Sequence, residues 1–204
     1  NLAIDPNNRL LWRIPFCRLE VEALRDSMLS ASGKLDRKMF GPPMHPFVPR
    51  DALLNHADKE SIWPKFKETA ANRRTVYAFV KRSLMIPMLE VLDFCDTTQT
   101  SPKRNVTTVP TQTLTMMNSK FLNDSAEVLA ARFQEEQPND TSAQVTRAIT
   151  LATSRPATKE DVTDGLKLIE HFTKNGIDKN KALQRFCLLV LNLTVLNFLL
   201  QLIM

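Results

Sequence analysis

Glycine is scarce in this chain. Four glycines stand beside twelve prolines in 204 residues, too few positive-φ positions for the tight turns of an all-β sandwich or barrel. The same scarcity removes phosphate-cradling loops. Neither GxGxxG nor GxxxxGK[ST] occurs, which argues against a nucleotide-binding α/β fold. Cysteine is rare too: Cys17, Cys95 and Cys187 are far apart and odd in number. At most one disulfide can form, and without CxxC or CxxCH neither a zinc ribbon nor a covalent haem is supported. His45, His56 and His171 show no HxxxH spacing, and metal ligands must converge. The expectation is a chain with no cofactor and no structural metal of its own. Blocks of five or six like charges are also missing. The net charge is +5, but acids and bases alternate, as on a solvated mixed surface. No nucleic-acid partner is expected, because such a role needs clustered charge and a reading motif.

Hydrophobic residues make up 43% of the chain and charged residues 24%, the balance of a soluble globular protein able to bury one core or two small ones. The opening "NLAIDPNNRLLW" has no initiator methionine and no signal-like apolar core. It reads as the start of a C-terminal portion of a larger, multi-domain protein, so compartment is not legible from it. The expected fold class is mainly α: residues 1–204 as a single irregular multi-helix domain, with long Pro/Thr-rich connections and at most a minor β element near Arg74–Val80.

Helical periodicity carries this expectation. In "CRLEVEALRDSMLSASGKLD", Leu19, Ala23, Leu24, Ser27 and Met28 recur at three- and four-residue steps, and Gly33 is placed to end the helix. Residues 41–50, with four prolines, form an irregular arm. "DALLNHADKESIWPKF" is a helix candidate ending before Pro64. Residues 97–110 are Thr-rich and read as an extended, ordered loop, with Pro110 or Thr111 opening the next helix. From Thr111 to Gln134 the set Leu114, Met117, Phe121, Leu122, Val128, Leu129 and Phe133 predicts one or two helices bent near Asn118. Val145, Ala148, Ile149 and Ala152 mark another, closed by Arg155-Pro156. Thr158 and Asp161 stand at capping spacing for a helix that stops at Asn175-Gly176. A final helix runs from about Asp178. Its uncharged "FCLLVLNLTVLNFLLQLIM" approaches membrane-spanning length, but Asn192, Asn197 and Gln201 favour a buried helix over a span.

The stretch "NRRTVYAFVKRSLMIPMLEVLDFCD" (72–96) admits two readings. In one, Arg73, Arg74, Arg82 and Arg104 converge near Tyr77 on an anion-binding patch, with Gln112 and Asn118 as neutral donors; an anionic glycan would be the partner. In the other, Val76, Phe79, Val80, Leu84, Leu89, Leu92 and Phe94 form core, while the arginines pair with Asp93, Asp96 and helix C-termini. Acids drawn from Glu20, Glu22, Asp26, Asp93 and Asp96 keep open an enzyme acting on polysaccharide, although salt bridging explains Glu22 and Asp26 more simply. A membrane-tethered adaptor using the last helix is the remaining alternative.

The order of "RLEVEALRDSMLSASGKLD" with its trailing "GPP", "RRTVYAFVKRSLMIPMLEVLDF", "NVTTVPTQTLTMMNSKF" and "LATSRPATKEDV" resembles the C-terminal domain of unknown function of large planctomycete cytochrome-c-associated proteins. The likeness covers most of the chain from Arg9 to about Asn192. It departs from the family's pattern in having only Arg18 before the Leu-x-x-Glu segment, and in its tail. The resemblance implies a secreted or periplasmic, cell-envelope setting. It also implies upstream domains of the same polypeptide as partners, with haem c held in those modules. It carries no catalytic residues, and so implies a non-catalytic helical module acting in domain docking or in ligand or polysaccharide binding.

Overall fold

The computed structural model describes residues 3–12, 19–53, 63–64, 68–107 and 109–200, the last seven as backbone only. Helices α1 (Val21–Ala31), α2 (Glu68–Ala71), α3 (Pro87–Val91), α4 (Pro110–Asn118), α5 (Lys120–Glu136), α6 (Thr141–Thr153), α7 (Lys159–Lys174) and α8 (Lys179–Leu200) follow one another, with short 3₁₀ turns at Arg50–Leu53 and Thr75–Tyr77. No strand forms among the described residues. The β character near Arg74–Val80 is limited to isolated bridges, Asp36 with Arg73 and Met44 with Ala78. The chain is mainly helical, as its periodicity predicts.

Helix α1 shows how the local signals act. Gly33, at φ +78°, is the left-handed residue of the stop. Its N–H donates to the Ser30 carbonyl, and the Lys34 N–H reaches back to Leu29, the paired bonds that satisfy orphan carbonyls at a helix end. The buried face is turned from the expected one. Val21, Leu24, Arg25, Met28 and Leu29 face inward, whereas Ala23 and Ser27 are exposed. Arg25 therefore lies on the apolar stripe.

Other boundaries have equally local causes. Pro87 is the first residue of α3 rather than a break within a longer helix, where its missing N–H costs nothing. Ser119, extended at ψ 128°, separates α4 from α5, next to the bend expected at Asn118. Thr158 and Asp161 cap α7 reciprocally.

The core gathers around α8, which packs against α4, α5, α6 and α7. From α5 come Leu122, Ala126, Leu129, Ala130 and Phe133, and from α8 come Ala182, Leu183, Phe186, Cys187, Val190 and Leu191. Burial pushes the Cys187 thiol up to about 12, so it packs as a small apolar group. Gly165 permits a close approach here, since a Cβ at that position would lie 2.7 Å from Val145 Cγ1. No helix among the described residues is long and apolar enough to cross a membrane.

The 41–50 arm is bound to this core, not free of it. Met44, Pro46 and Val48 are buried, and the Trp63 indole N–H donates to the Pro46 carbonyl at 3.0 Å. In the 72–96 stretch Leu84, Leu89 and Leu92 are core, and Phe94 packs against it. Val76, Phe79 and Val80 are not: they are 71%, 37% and 40% exposed. The 3₁₀ turn at Thr75–Tyr77 replaces the period-2 alternation of a strand and leaves these three facing out. The helix expected from Asp51 falls mostly on residues 54–62, which lie outside the described residues; Arg50–Leu53 form a 3₁₀ turn.

Candidate functional site

The arginines singled out by sequence take separate positions. Arg73 is buried and clamps a loop: its guanidinium donates to the carbonyls of Pro42 (2.6 Å), Phe40 (2.6 Å) and Lys38 (3.3 Å). It lies 4.0 Å over the Tyr77 ring, and the Tyr77 hydroxyl accepts from the Phe40 N–H. The clamp holds Phe40 at φ +61°, a conformation that a bulky side chain adopts only under such constraint. Arg74 is half exposed, 3.8 Å from Asp26. Arg82 is exposed. Arg104 forms a bidentate pair with Glu22, at 2.7 and 2.8 Å. Gln112, fully buried, donates to Val91 O, Thr107 Oγ1 and Asp93. Of these residues Arg73 and Tyr77 are in contact with each other; the terminal nitrogens of Arg73 and Arg104 and the Gln112 amide are spent on the chain itself, while the buried Arg73 Nε has no hydrogen-bond partner.

The acids are committed as well. Asp26 accepts from the Thr75 N–H and hydroxyl. Asp93 accepts from Thr107, and Asp96 from Thr98. The expected pairing of arginines with Asp93 and Asp96 gives way to threonine turns at both acids and to carbonyl acceptors at Arg73. Glu20 and Asp93 share a small cleft of about 220 Å³ with Lys103 and Arg104. Glu22 combines burial with a cationic partner. Burial acts to raise its carboxyl, but the Arg104 hydrogen bonds, a backbone N–H and the Arg104 charge hold it below its ordinary 4.5. A depressed folded value stabilises the protein above pH 4.5, and that stability is lost as pH falls through the folded value. Acidification below pH 4.5 should therefore lower the urea midpoint more in wild type than in Arg104→Gln. The gap should stay within about 1 kcal/mol, because solvent screens a half-exposed pair. Parallel acid profiles for the two proteins would overturn this assignment.

A larger concavity lies elsewhere. A cleft of about 520 Å³ opens between α1, the 41–50 arm, the start of α3 and the α4–α5 junction. Its walls are mostly apolar: Leu29, Pro46, Phe47, Ile86, Met88, Leu114 and Phe121. Asn72, Thr115, Asn118 and Ser119 supply neutral polar groups, and Arg25, Lys34, Lys120 and Asp124 the charges. Leu114 is 58% exposed although it belongs to an apolar helical set.

Arg25 ties two walls of this cleft together. It is 4% exposed and donates to the carbonyls of Ala71 and Arg73 and to the Thr75 hydroxyl. Its guanidinium stands 5.1 Å from the Phe121 ring centre. Burial pushes its pKa down to about 10, against the nearby Asp26 charge, so it remains a cation at neutral pH. Of the seven candidate residues, Asn118 alone lines the cleft. The others that build it carried no local motif, apart from the placement of Arg25 four residues from both Val21 and Leu29.

Among the described residues no group of three or more His, Cys, Asp or Glu is placed to hold a metal ion. No curated protein and no solved structure matches the chain. A family model does match, over residues 1–169, a span that includes the cleft and all the arginines discussed and stops within α7. The chain belongs to the PSD1 family, proteins of unknown function (DUF1553).

Proposed function

We propose that this domain is a non-catalytic binding module whose α1–α4–α5 cleft takes a ligand with a substantial apolar body. The observation that carries this reading is the cleft itself. Its volume of about 520 Å³ falls within the range of small-molecule sites, about 300–1,000 Å³, and a mostly apolar lining with a few polar groups is their usual composition. The exposure of Leu114 at its wall adds support, since an apolar side chain left in solvent gains from a bound apolar partner. An anionic glycan on the arginines has less support, because the terminal nitrogens of Arg73 and Arg104 are taken. The enzyme reading has less too, because the acid lining the cleft, Asp124, is paired with Lys120 at 2.6 Å. In the exported, cytochrome-associated setting that the sequence resemblance implies, such a module would work beside other domains of one polypeptide.

The test uses the neutral apolar dye Nile red. Wild-type protein should enhance its fluorescence saturably. Leu114→Asp should weaken binding about tenfold, the loss of one apolar contact of about 1.4 kcal/mol. Val76→Asp, at a residue 71% exposed and outside the cleft, should leave binding unchanged. Equal loss in both variants, or no saturable binding, would sink the reading.

A further inference from the structure

We infer that the exposed loop 36–43 docks on an anionic lipid bilayer, its Met39–Phe40 tip entering the headgroup region while Arg37 and Lys38 meet the lipid anions. The surface is separate from the cleft, since none of residues 36–43 lines it. Every residue of the loop is exposed, Met39 by 58% and Phe40 by 76%. Phe40 is also the residue held at φ +61°. That conformation suits glycine or asparagine and is unfavourable for a bulky side chain, and here the ring gains no burial in return. The fold nevertheless fixes it. Arg73 binds the carbonyls of Lys38, Phe40 and Pro42, and the Phe40 N–H donates to the Tyr77 hydroxyl. An exposed aromatic kept in a strained backbone by a buried guanidinium fits a contact surface better than a folding requirement.

The charges around the tip select the partner. Arg37 and Lys38 are both exposed, and among the described residues they form no ion pair. The one acid of the loop, Asp36, accepts from the Lys38 backbone N–H at 2.9 Å. Beside the loop, Val76 is 71% exposed on the turn that carries Tyr77. Arg74, just before that turn, is 52% exposed and stands 3.8 Å from Asp26, whose carboxylate already accepts two bonds from Thr75. Apolar side chains flanked by basic ones compose an interfacial membrane anchor, in which apolar burial and attraction to anionic lipid add. A neutral apolar pocket on a protein would take the ring and leave both cations unanswered. A soluble polyanion would take the cations and leave the ring in water. Because the loop is already ordered, docking loses little conformational entropy. Such contact is peripheral and needs no membrane-spanning helix.

Co-sedimentation with two kinds of vesicle tests this: phosphatidylcholine alone, and phosphatidylcholine with about one third phosphatidylserine. Wild-type protein should bind the anionic vesicles about tenfold or more tighter than the neutral ones, and salt should narrow the gap. Arg37→Gln/Lys38→Gln should lose about 25-fold on anionic vesicles, at about fivefold per cation. Lys179→Gln/Lys181→Gln removes the same charge from the start of α8 and should lose less than about twofold. Phe40→Asn should weaken binding about tenfold while its melting temperature is kept or raised, because asparagine accepts the left-handed backbone. Weaker docking with undiminished stability is a result that a merely structural Phe40 would not give. Equal binding to both vesicles, or equal loss in the two charge variants, would overturn the assignment to this loop. Unchanged binding by Phe40→Asn would overturn insertion of the tip. Absence of vesicle binding would overturn the inference outright, and self-association abolished by Phe40→Asn would then give the tip to a second copy of the chain.

Discussion

Arg25→Met is expected to cost about 2–4 kcal/mol of unfolding free energy, although it exchanges a charge for an apolar side chain of similar reach. The reason is the set of acceptors left behind. Arg25 is the donor to the Ala71 and Arg73 carbonyls and to Thr75 Oγ1, and buried groups deprived of partners cost about 1–3 kcal/mol each. Relief from burying the cation offsets part of this. Arg25→Lys should lose nearly as much, because one ammonium cannot reproduce the planar fork that meets three acceptors spread over residues 71–75. Urea unfolding at pH 7 measures both variants. Hydrogen exchange should show faster opening of the 71–75 segment, since α1 would hold it only through Asp26. A loss below about 1 kcal/mol in Arg25→Met would show that the carbonyls find water instead, and that the cleft wall does not depend on this side chain.

Phe133→Ala is expected to cost about 3–5 kcal/mol, the range for removing a fully buried aromatic ring. Phe133 is 0% exposed and ends the stripe Leu122, Ala126, Leu129, Ala130 on α5, which faces α8. The alanines bring the two backbones together, so little room is left for the helices to close over a missing ring. Thermal denaturation should show a fall of about 10 °C, using about 2–4 °C per kcal/mol for a chain of this size. A fall of only 1–2 °C would mean that α8 shifts to fill the space. Exposed Leu114, in contrast, should tolerate Leu114→Asp within about 0.5 kcal/mol, which is what makes that variant usable as a test of binding.

Much of the secondary structure was legible because its causes lie within one turn of the residues concerned. Gly33 ends α1, Ser119 divides α4 from α5 beside Asn118, Thr158 and Asp161 cap α7, and Asn175-Gly176 stops it, with Gly176 at φ +81°. The candidate site was far less legible. Arg104 meets Glu22 across 82 positions, Arg73 meets Phe40 across 33, and Arg25 meets Thr75 across 50, and nothing in the spacing of charges along the chain encodes such pairings.

Helical class, the main helix ends and the lack of internal motifs for metal, haem or nucleotide were therefore determined by sequence alone, through propensity, capping and ligand spacing that act locally. Tertiary structure decided which face of α1 is buried, so that a cationic side chain fell on the apolar stripe instead of reaching solvent. It also decided that Val76 and Val80 face out while Leu84 and Leu89 face in. Above all it made the cleft, whose walls come from five separated segments. A cavity is the space between elements, and that space exists only once helix packing has fixed their distances.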